Sequence, residues 1–170
     1  CLRCGRAAVA HRGDVALGGD GADPRVGILD AGLGRARDRV RRAVRTDDGP
    51  DVRHAVTHYL VRERYAEKPD GSCAASLVEC RLETGRTHQI RVHMAHIGHP
   101  LVGDEDYGAA FRTKANRLPE PLRGIVNGFS RQALHAYLLV IEHPATGETL
   151  RFEAPLPEDM AQLRGAFAAI

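Results

Sequence analysis

The chain has 170 residues, of which 43% are hydrophobic, and this is enough to form one domain with its own core. Its positive residues are 22 arginines and two lysines, and the formal net charge of +2 permits a nucleic-acid partner without requiring one. Because no apolar run approaches the roughly 20 residues of a membrane helix and no secretion signal opens the chain, we expect a cytoplasmic protein with no membrane partner.

The first 26 residues are rich in glycine and alanine and have no sustained hydrophobic period. We therefore predict an irregular segment over residues 1–26, followed by the folded part of the chain over residues 27–170. The first two of the four cysteines have the spacing of half a zinc site, but the other two lie seven residues apart and do not supply the second half. They are Cys1, Cys4, Cys73 and Cys80. We expect no bound metal.

A dense group of arginines follows a short strand that we predict over residues 28–30. Residues 35–45 contain six arginines and one aspartate, so their mutual repulsion has to be relieved by solvent or by an anionic partner. Both interpretations of this basic loop stay open. Residues 47–50 form a turn cluster before the next strand.

Two strands are predicted next, over residues 55–65 and 75–84, because β-branched and aromatic side chains recur there. The segment between them contains Pro69, Asp70 and Gly71, which are turn residues, so we expect an antiparallel pair. Charged residues on the second strand predict that only its other face is covered.

An apolar stripe at helical spacing then predicts a helix. Its members are Ile90, Met94 and Ile97. Thr87 stands where an N-cap is expected, and Gly98 ends the helix. Arg91 falls on a face offset from the stripe, so it can point into a cleft near the helix start. The alternative is an arginine on a solvated helix face.

Histidines recur at every third residue across this helix and beyond it. They are His93, His96 and His99. Zinc ligands on a helix usually have i, i+4 spacing with a nearby carboxylate, and the sequence contains no HExxH pattern. A metal hydrolase stays an alternative that bound zinc would reveal.

The end of the chain shows regular patterns. Strands are predicted over residues 133–142 and 149–154, joined by a hairpin loop over residues 143–148. A terminal helix begins near Pro157, and Met160, Leu163 and Phe167 form its apolar stripe. Many strands and few helices predict an α+β domain with a mostly antiparallel mixed sheet.

Two long strings in the second half of the chain stand out, LETGRTHQIRVHMAHIGHPLVGD with the YG that follows, and RQALHAYLLVIEHPATGETLRFEAPLPEDM. Together with GILDAGLGRARDRVRRAV and AVTHYLVRERY upstream, they resemble the C-terminal part of the catalytic domain of the RluA-type RNA pseudouridine synthases. The resemblance runs from about residue 27 to residue 167. It implies the fold of that domain, incomplete at the N-terminus.

The resemblance also implies an isomerase that breaks the N-glycosidic bond of a uridine in ribosomal or transfer RNA, turns the base and rejoins it through carbon. The family acts on a flipped-out base without metal or organic cofactor, and we expect this chain to be a monomer. A carboxylate attacks the uridine, a tyrosine lies beside the base, and a cation holds the carboxylate ionised. The position that matches this cation is Arg91. The substrate-binding residues that the resemblance implies are Arg86, Thr87, His88, Gln89, Arg35 and Arg37.

One part of the family pattern is missing. The family's nucleophilic aspartate lies in an HRLDxxTSG motif that this sequence lacks, and the nearest candidate is Asp14 in the string HRGD. No acidic partner for Arg91 is otherwise identified. Two interpretations remain, a truncated form that is inactive alone or a non-catalytic RNA-binding domain of the same fold. We expect residues 99–107 to pack under the pocket, and Arg131 and His135 to be structural.

Overall fold

A computed structural model describes residues 3–11, 26–36, 41–47, 49–69, 73–108 and 115–170, with the backbone alone over residues 3–11. The described elements are seven strands and three helices. The strands are β1 Arg3–His11, β2 Val26–Arg35, β3 Arg42–Arg45, β4 Arg53–Tyr65, β5 Ala75–Leu82, β6 Leu134–Glu142 and β7 Thr149–Glu153. The helices are α1 Gln89–His96, α2 Leu122–Asn127 and α3 Glu158–Ala168.

The described strands form one sheet in the order β3-β2-β4-β5-β1-β6-β7. Every described pair of neighbours is antiparallel, so the predicted α+β class is confirmed. The predicted pairing of β4 with β5 is also confirmed, with Tyr59 opposite Cys80 and Tyr65 opposite Ala75. No helix in the described ranges is long and apolar enough to cross a membrane.

Strand β1 replaces much of the irregular N-terminal segment that the sequence predicts. It lies between β5 and β6, and Ala7 is opposite Glu79 on one side and His135 on the other. Glycine and alanine have low β-propensity, so this strand is specified by its two neighbours and not by its own residues. Residues 12–25, which include Asp14, lie outside the described part of the chain.

The basic region is partly a hairpin and not the loop that the sequence predicts. Strand β2 extends past the short strand predicted over residues 28–30, and its end pairs with β3. Arg35 lies opposite Arg42, and Leu33 lies opposite Val44. Glycine has a low β-propensity, so the glycines of β2 weaken the strand signal in the sequence. Pairing with β3 and β4 stabilises the strand in the fold.

The first core cluster joins α3 to the sheet and to α2. Phe167 is fully buried, and its ring stacks on Tyr65 with 5.8 Å between the ring centres. The predicted stripe of α3 is confirmed, since Met160 and Leu163 are fully buried as well. The residues that α2 contributes are Leu122 and Val126.

The second core cluster holds α1 against β4 and β5. Ile90 and Met94 are buried in it together with Tyr59, and Ile97 packs at its margin, which confirms the predicted stripe. Gly98 follows the end of the helix with a φ of 81°, a conformation that suits glycine.

The turn after α1 is held tightly against the segment that precedes β6. Gly103 has a φ of 71°, and a β-carbon at this position would lie 2.0 Å from the backbone oxygen of Arg131. Next to it, the backbone N–H of Ala133 donates a hydrogen bond of 2.8 Å to the carbonyl of Val102. Only glycine permits this approach, so Gly103 fixes the position of the turn.

We expect Gly103→Ala to lower the free energy of unfolding by about 3 kcal/mol or more, because it adds overlap with Arg131 to a left-handed backbone. Gly147→Ala is the matched control, since Gly147 also has a φ of 71° and no neighbour within 4 Å of where its β-carbon would be. The control should lose only about 1 kcal/mol. Urea unfolding measures both values, and equal losses would contradict the overlap argument.

Candidate functional site

Gln89 fastens the start of α1 to β4. Its amide oxygen accepts hydrogen bonds from the Thr84 hydroxyl at 2.8 Å and from the Arg86 backbone N–H at 3.0 Å. Its amide nitrogen donates to the Val56 carbonyl at 2.9 Å and to the Thr57 hydroxyl at 3.0 Å. An amide has two donor and two acceptor positions, so none is left for a nucleotide. This corrects the prediction that Gln89 binds substrate, and gives it a positioning role.

The prediction that Thr87 is the N-cap of α1 is wrong. The N-cap is His88, which has a φ of 57° and makes no side-chain capping hydrogen bond. Its left-handed backbone costs a non-glycine residue about 1–2 kcal/mol, which the anchoring of the preceding turn by Gln89 has to offset. The His88 ring nitrogen Nδ1 lies 3.1 Å from the Tyr107 hydroxyl. Thr87 is exposed beside this turn.

Arg91 is largely buried, and the alternative of a solvated helix face is wrong. Only 11% of its side chain is exposed. Its Nε and Nη2 donate to the two carboxylate oxygens of Asp104 at 2.8 and 2.7 Å, and Nη2 also donates to Asp106 at 2.7 Å. The turn after α1 supplies two acidic partners of Arg91 that the sequence analysis does not identify.

Asp104 organises the turn as well as the arginine. Its side chain is fully buried, and Oδ1 also accepts the backbone N–H groups of Asp106 and Tyr107, both at 3.1 Å. The hydrogen bonds to Asp104 are the main reason why the pKa of Arg91 is raised above its ordinary value. The guanidinium carbon of Arg91 lies 4.9 Å from the centre of the Tyr107 ring, which is a cation–π contact.

A pocket of about 270 Å³ opens beside the start of α1, and we call it the Arg91 pocket. Its volume is at the lower end of the roughly 300–1,000 Å³ that is common for small-ligand sites. Residues that line it include Gly85, Arg86, His88, Arg91, Gln132 and Leu134. None of the described hydrogen bonds of Arg91 uses its other terminal nitrogen, Nη1, whose two N–H groups are therefore not committed among the described residues.

A second pocket of about 220 Å³ adjoins the first, because Gly85 and Arg86 line both of them. We call it the arginine pocket. Its other lining residues are Leu33, Arg42, Arg53 and Thr87. The structure thus brings the predicted residues Arg86 and Thr87 together with two arginines of the sheet.

Three predicted site residues are not joined to these pockets by the described structure. Arg35 lines a different groove, together with Arg45 and Asp51, and its backbone N–H donates to Asp51 at 2.8 Å. Arg37 and Asp14 lie outside the described residues.

Arg131, which precedes β6, holds the segment that lines the Arg91 pocket. Arg131 pairs with Asp159 of α3 at 2.7 Å, and its Nη1 donates to the backbone oxygens of Gln132 and Leu134, both at 3.2 Å. These two neighbours line the Arg91 pocket, whereas the Arg131 guanidinium faces α3. Arg131 therefore positions the lining without forming it.

The histidines of α1 do not form a metal site within the described ranges, which contain no group of three His, Cys, Asp or Glu side chains suited to a metal ion. His93 is buried, and its Nδ1 lies 2.9 Å from the Thr57 hydroxyl. His96 is exposed on the helix. His93 therefore serves the packing of α1 on β4.

Several residues of the site are missed by the sequence analysis. They are Asp104, Asp106, Tyr107, Arg42 and Arg53. A signal for the acids exists, since the string GDEDYG places carboxylates in a turn directly after the helix that carries Arg91. No comparable signal exists for Arg42, because its placement depends on the pairing of β3 with β2.

Comparison with known proteins shows sequence relatives. The sequence model of the RNA pseudouridylate synthase family matches residues 20–96. The chain is 50% identical over 141 residues to ribosomal large subunit pseudouridine synthase D of Xanthomonas campestris pv. campestris, covering 82% of this chain and 39% of that protein. It is 47% identical over 137 residues to the uncharacterized RNA pseudouridine synthase YlyB of Bacillus subtilis, covering 81% of this chain and 37% of that protein. The chain thus spans about two fifths of the length of these curated relatives.

The solved structure of human RNA pseudouridylate synthase domain containing 4 is similar in fold. It superposes with a TM-score of 0.68 at 22% identity, covering 98% of this chain and 62% of that chain. At this identity the likeness concerns the fold alone. The sequence matches, at 50% and 47% identity, support an RluA-type RNA pseudouridine synthase family for this chain.

We expect Asp104→Asn to lower the free energy of unfolding by about 3 kcal/mol, because it leaves the largely buried Arg91 without its bidentate partner. Asp106→Asn is the matched control, since Asp106 contacts the same guanidinium but 51% of its side chain is exposed. The control should lose about 1 kcal/mol or less. Urea unfolding compares the two variants, and a loss in the control as large as in Asp104→Asn would sink this assignment.

Burial lowers the pKa of His93 in the folded chain, so the unfolded chain binds its proton more readily. His93 therefore contributes stability that is fully present above the unfolded pKa of about 6.5 and is lost as the pH falls below it. Urea unfolding near pH 7.5 and near pH 5.5 should show a smaller drop in His93→Gln than in the unmodified chain. The exposed His96 provides the control, and His96→Gln should keep the full drop.

Proposed function

We propose that this chain forms the Arg91 side of an active site that converts uridine to pseudouridine in RNA. The observation that carries the proposal is the fixed guanidinium of Arg91 at the wall of a nucleoside-sized pocket. Similarity to the family over residues 20–96, a range that contains Arg91, supports it.

In this proposal the residues of the chain have separate tasks. Asp104 holds the guanidinium through Nε and Nη2. The N–H groups of Nη1 donate hydrogen bonds to the carboxylate that attacks the uridine. An arginine within about 4 to 6 Å of a carboxylate lowers the pKa of that carboxylate by about one to three units. The carboxylate therefore stays ionised, which suits a nucleophile and not an acid. The flipped base occupies the Arg91 pocket beside His88. The attacking carboxylate comes from outside the described residues.

The substrate in this proposal is ribosomal RNA. Support comes from the name of the relative from Xanthomonas campestris, which is a ribosomal large subunit pseudouridine synthase. Transfer RNA is the second substrate class to test. We further propose that the chain meets its RNA in the cytoplasm as a monomer.

A second candidate function is RNA binding without catalysis. It is favoured by one observation, that Arg91 already has two carboxylates of its own chain as partners. The charge of such an arginine is balanced without any nucleophile. The two candidates differ in whether Arg91 matters for a reaction or only for the fold.

Tritium release from RNA labelled at carbon 5 of uridine tests the first candidate, because this carbon exchanges its hydrogen for the bond to the sugar. The protein assayed is this chain together with any residues that its reading frame encodes before Cys1. We expect release from ribosomal RNA transcripts, and a loss of about 100-fold or more in Arg91→Gln. Arg123→Gln, which removes an exposed arginine of α2, should stay within about twofold.

Because Arg91→Gln also weakens the fold, Arg91→Lys is measured beside it, with urea unfolding of each variant. The lysine keeps the charge but lacks the planar fork, so we expect a folded protein with about tenfold less activity. Undiminished release in folded Arg91→Gln would contradict the proposed role. RNA binding with no release from any transcript would favour the second candidate.

A further inference from the structure

The arginine pocket is formed by three elements that converge on the same end of the sheet. Leu33 of β2 lies opposite Arg53 of β4 and opposite Val44 of β3. Cross-strand partners share a face, and residues two apart in a strand share a face as well, so Arg42 points to the same side as Arg53. The turn before α1 adds Arg86 and Thr87 from above.

The bonds of these three arginines orient them without neutralising them. Nη1 of Arg53 donates to the backbone oxygens of Pro50 at 2.8 Å and Val52 at 3.1 Å, and Nε of Arg86 donates to the backbone oxygen of His54 at 3.1 Å. The backbone N–H of Arg42 donates to the Tyr107 hydroxyl at 2.9 Å, which fixes the strand beside the turn.

No ion pair among the described residues contains Arg42, Arg53 or Arg86. Arginines elsewhere on the described surface behave differently. Arg62, Arg131 and Arg151 each pair with a carboxylate. Three guanidinium groups around a cavity of about 220 Å³ therefore form a concentrated positive site that lacks a described counter-charge.

We propose that the arginine pocket binds a backbone phosphate of the RNA strand, next to the nucleotide that enters the Arg91 pocket. The guanidinium fork matches the geometry of a phosphate, and the Thr87 hydroxyl can donate to a further oxygen. Since Gly85 and Arg86 line both pockets, the two sites are adjacent, as a nucleoside and its own phosphate are. The inference rests on the proposed function, because it takes the strand to pass the Arg91 pocket.

The test uses fluorescence anisotropy with a short RNA hairpin that carries 5-fluorouridine at the target position. Arg42→Gln and Arg53→Gln should each weaken binding by about tenfold and reduce the salt slope by about one. Arg151→Gln removes the same charge from β7, at the opposite edge of the sheet, and should change the affinity by about twofold or less. Equal effects of all three substitutions would overturn the inference.

A change in the RNA gives a second measurement that does not depend on the stability of a variant. An uncharged methylphosphonate is placed at one linkage at a time around the fluorinated uridine. In the unmodified protein, one linkage next to that uridine should lose about tenfold in affinity, and this loss should vanish in Arg42→Gln. The same loss in both proteins, at every linkage, would overturn the inference.

Two further outcomes have separate meanings. Failure of the proposed function would appear as binding that depends on Arg42 and Arg53 but is indifferent to the fluorinated uridine and to Arg91→Gln. Failure of the phosphate inference would appear as binding that responds to Arg91→Gln but not to Arg42→Gln. Binding of inorganic phosphate that is lost in Arg42→Gln, with RNA affinity unchanged in the same variant, would assign the pocket to free phosphate and overturn the RNA assignment.

Discussion

The bidentate pair between Arg91 and Asp104 is the interaction on which the rest of the site depends. Two charged groups are buried at the first turn of α1. The free-energy cost of removing them from water is offset only because each carboxylate oxygen of Asp104 accepts a hydrogen bond from Arg91. The carboxylate of Asp104 also accepts hydrogen bonds from two backbone N–H groups of the turn after α1. Gly103 allows this turn to lie directly against the backbone of Arg131. The direction of the guanidinium is thus set by the fold of the turn, and not by the rotamer preference of one long side chain. A positioning group in an active site needs this kind of preorganisation.

The start of α1 is fixed from its other side by the fully used amide of Gln89. That amide bonds to Val56 and Thr57 of β4 and to the turn before the helix, so the left-handed His88 and the exposed Thr87 have fixed positions relative to the sheet. Both pockets share this turn as a wall. A ligand in one pocket therefore contacts a segment that also forms a wall of the second pocket. This shared wall connects the proposed base site to the proposed phosphate site.

The sequence predicts those parts of the fold that have strong local patterns. The stripes of α1 and α3 and the β4–β5 pair are confirmed, because their apolar side chains recur with the period of the element. Strand β1 could not be predicted, since its one glycine and three alanines form a strand only through partners about seventy and one hundred and thirty residues away. For the site, the offset face of Arg91 is readable from spacing. Its bond to Asp104 is not, because the turn geometry that joins them depends on the contact at Gly103.

The distribution of charge is consistent with the proposed binding of RNA by a chain whose formal net charge is only +2. Arg91 and its two carboxylates carry a formal net charge of −1, so this group does not attract an anion from a distance, and Arg91 orients only a group that is already in contact with it. Arg42, Arg53 and Arg86 have backbone oxygens as their described partners or none, and their charge reaches into solvent. Attraction and alignment are thereby assigned to neighbouring but different arginines. It follows that raising the salt concentration should weaken capture of RNA far more than the alignment of a base already in place, because salt screens exposed charges and leaves the buried pair almost unchanged.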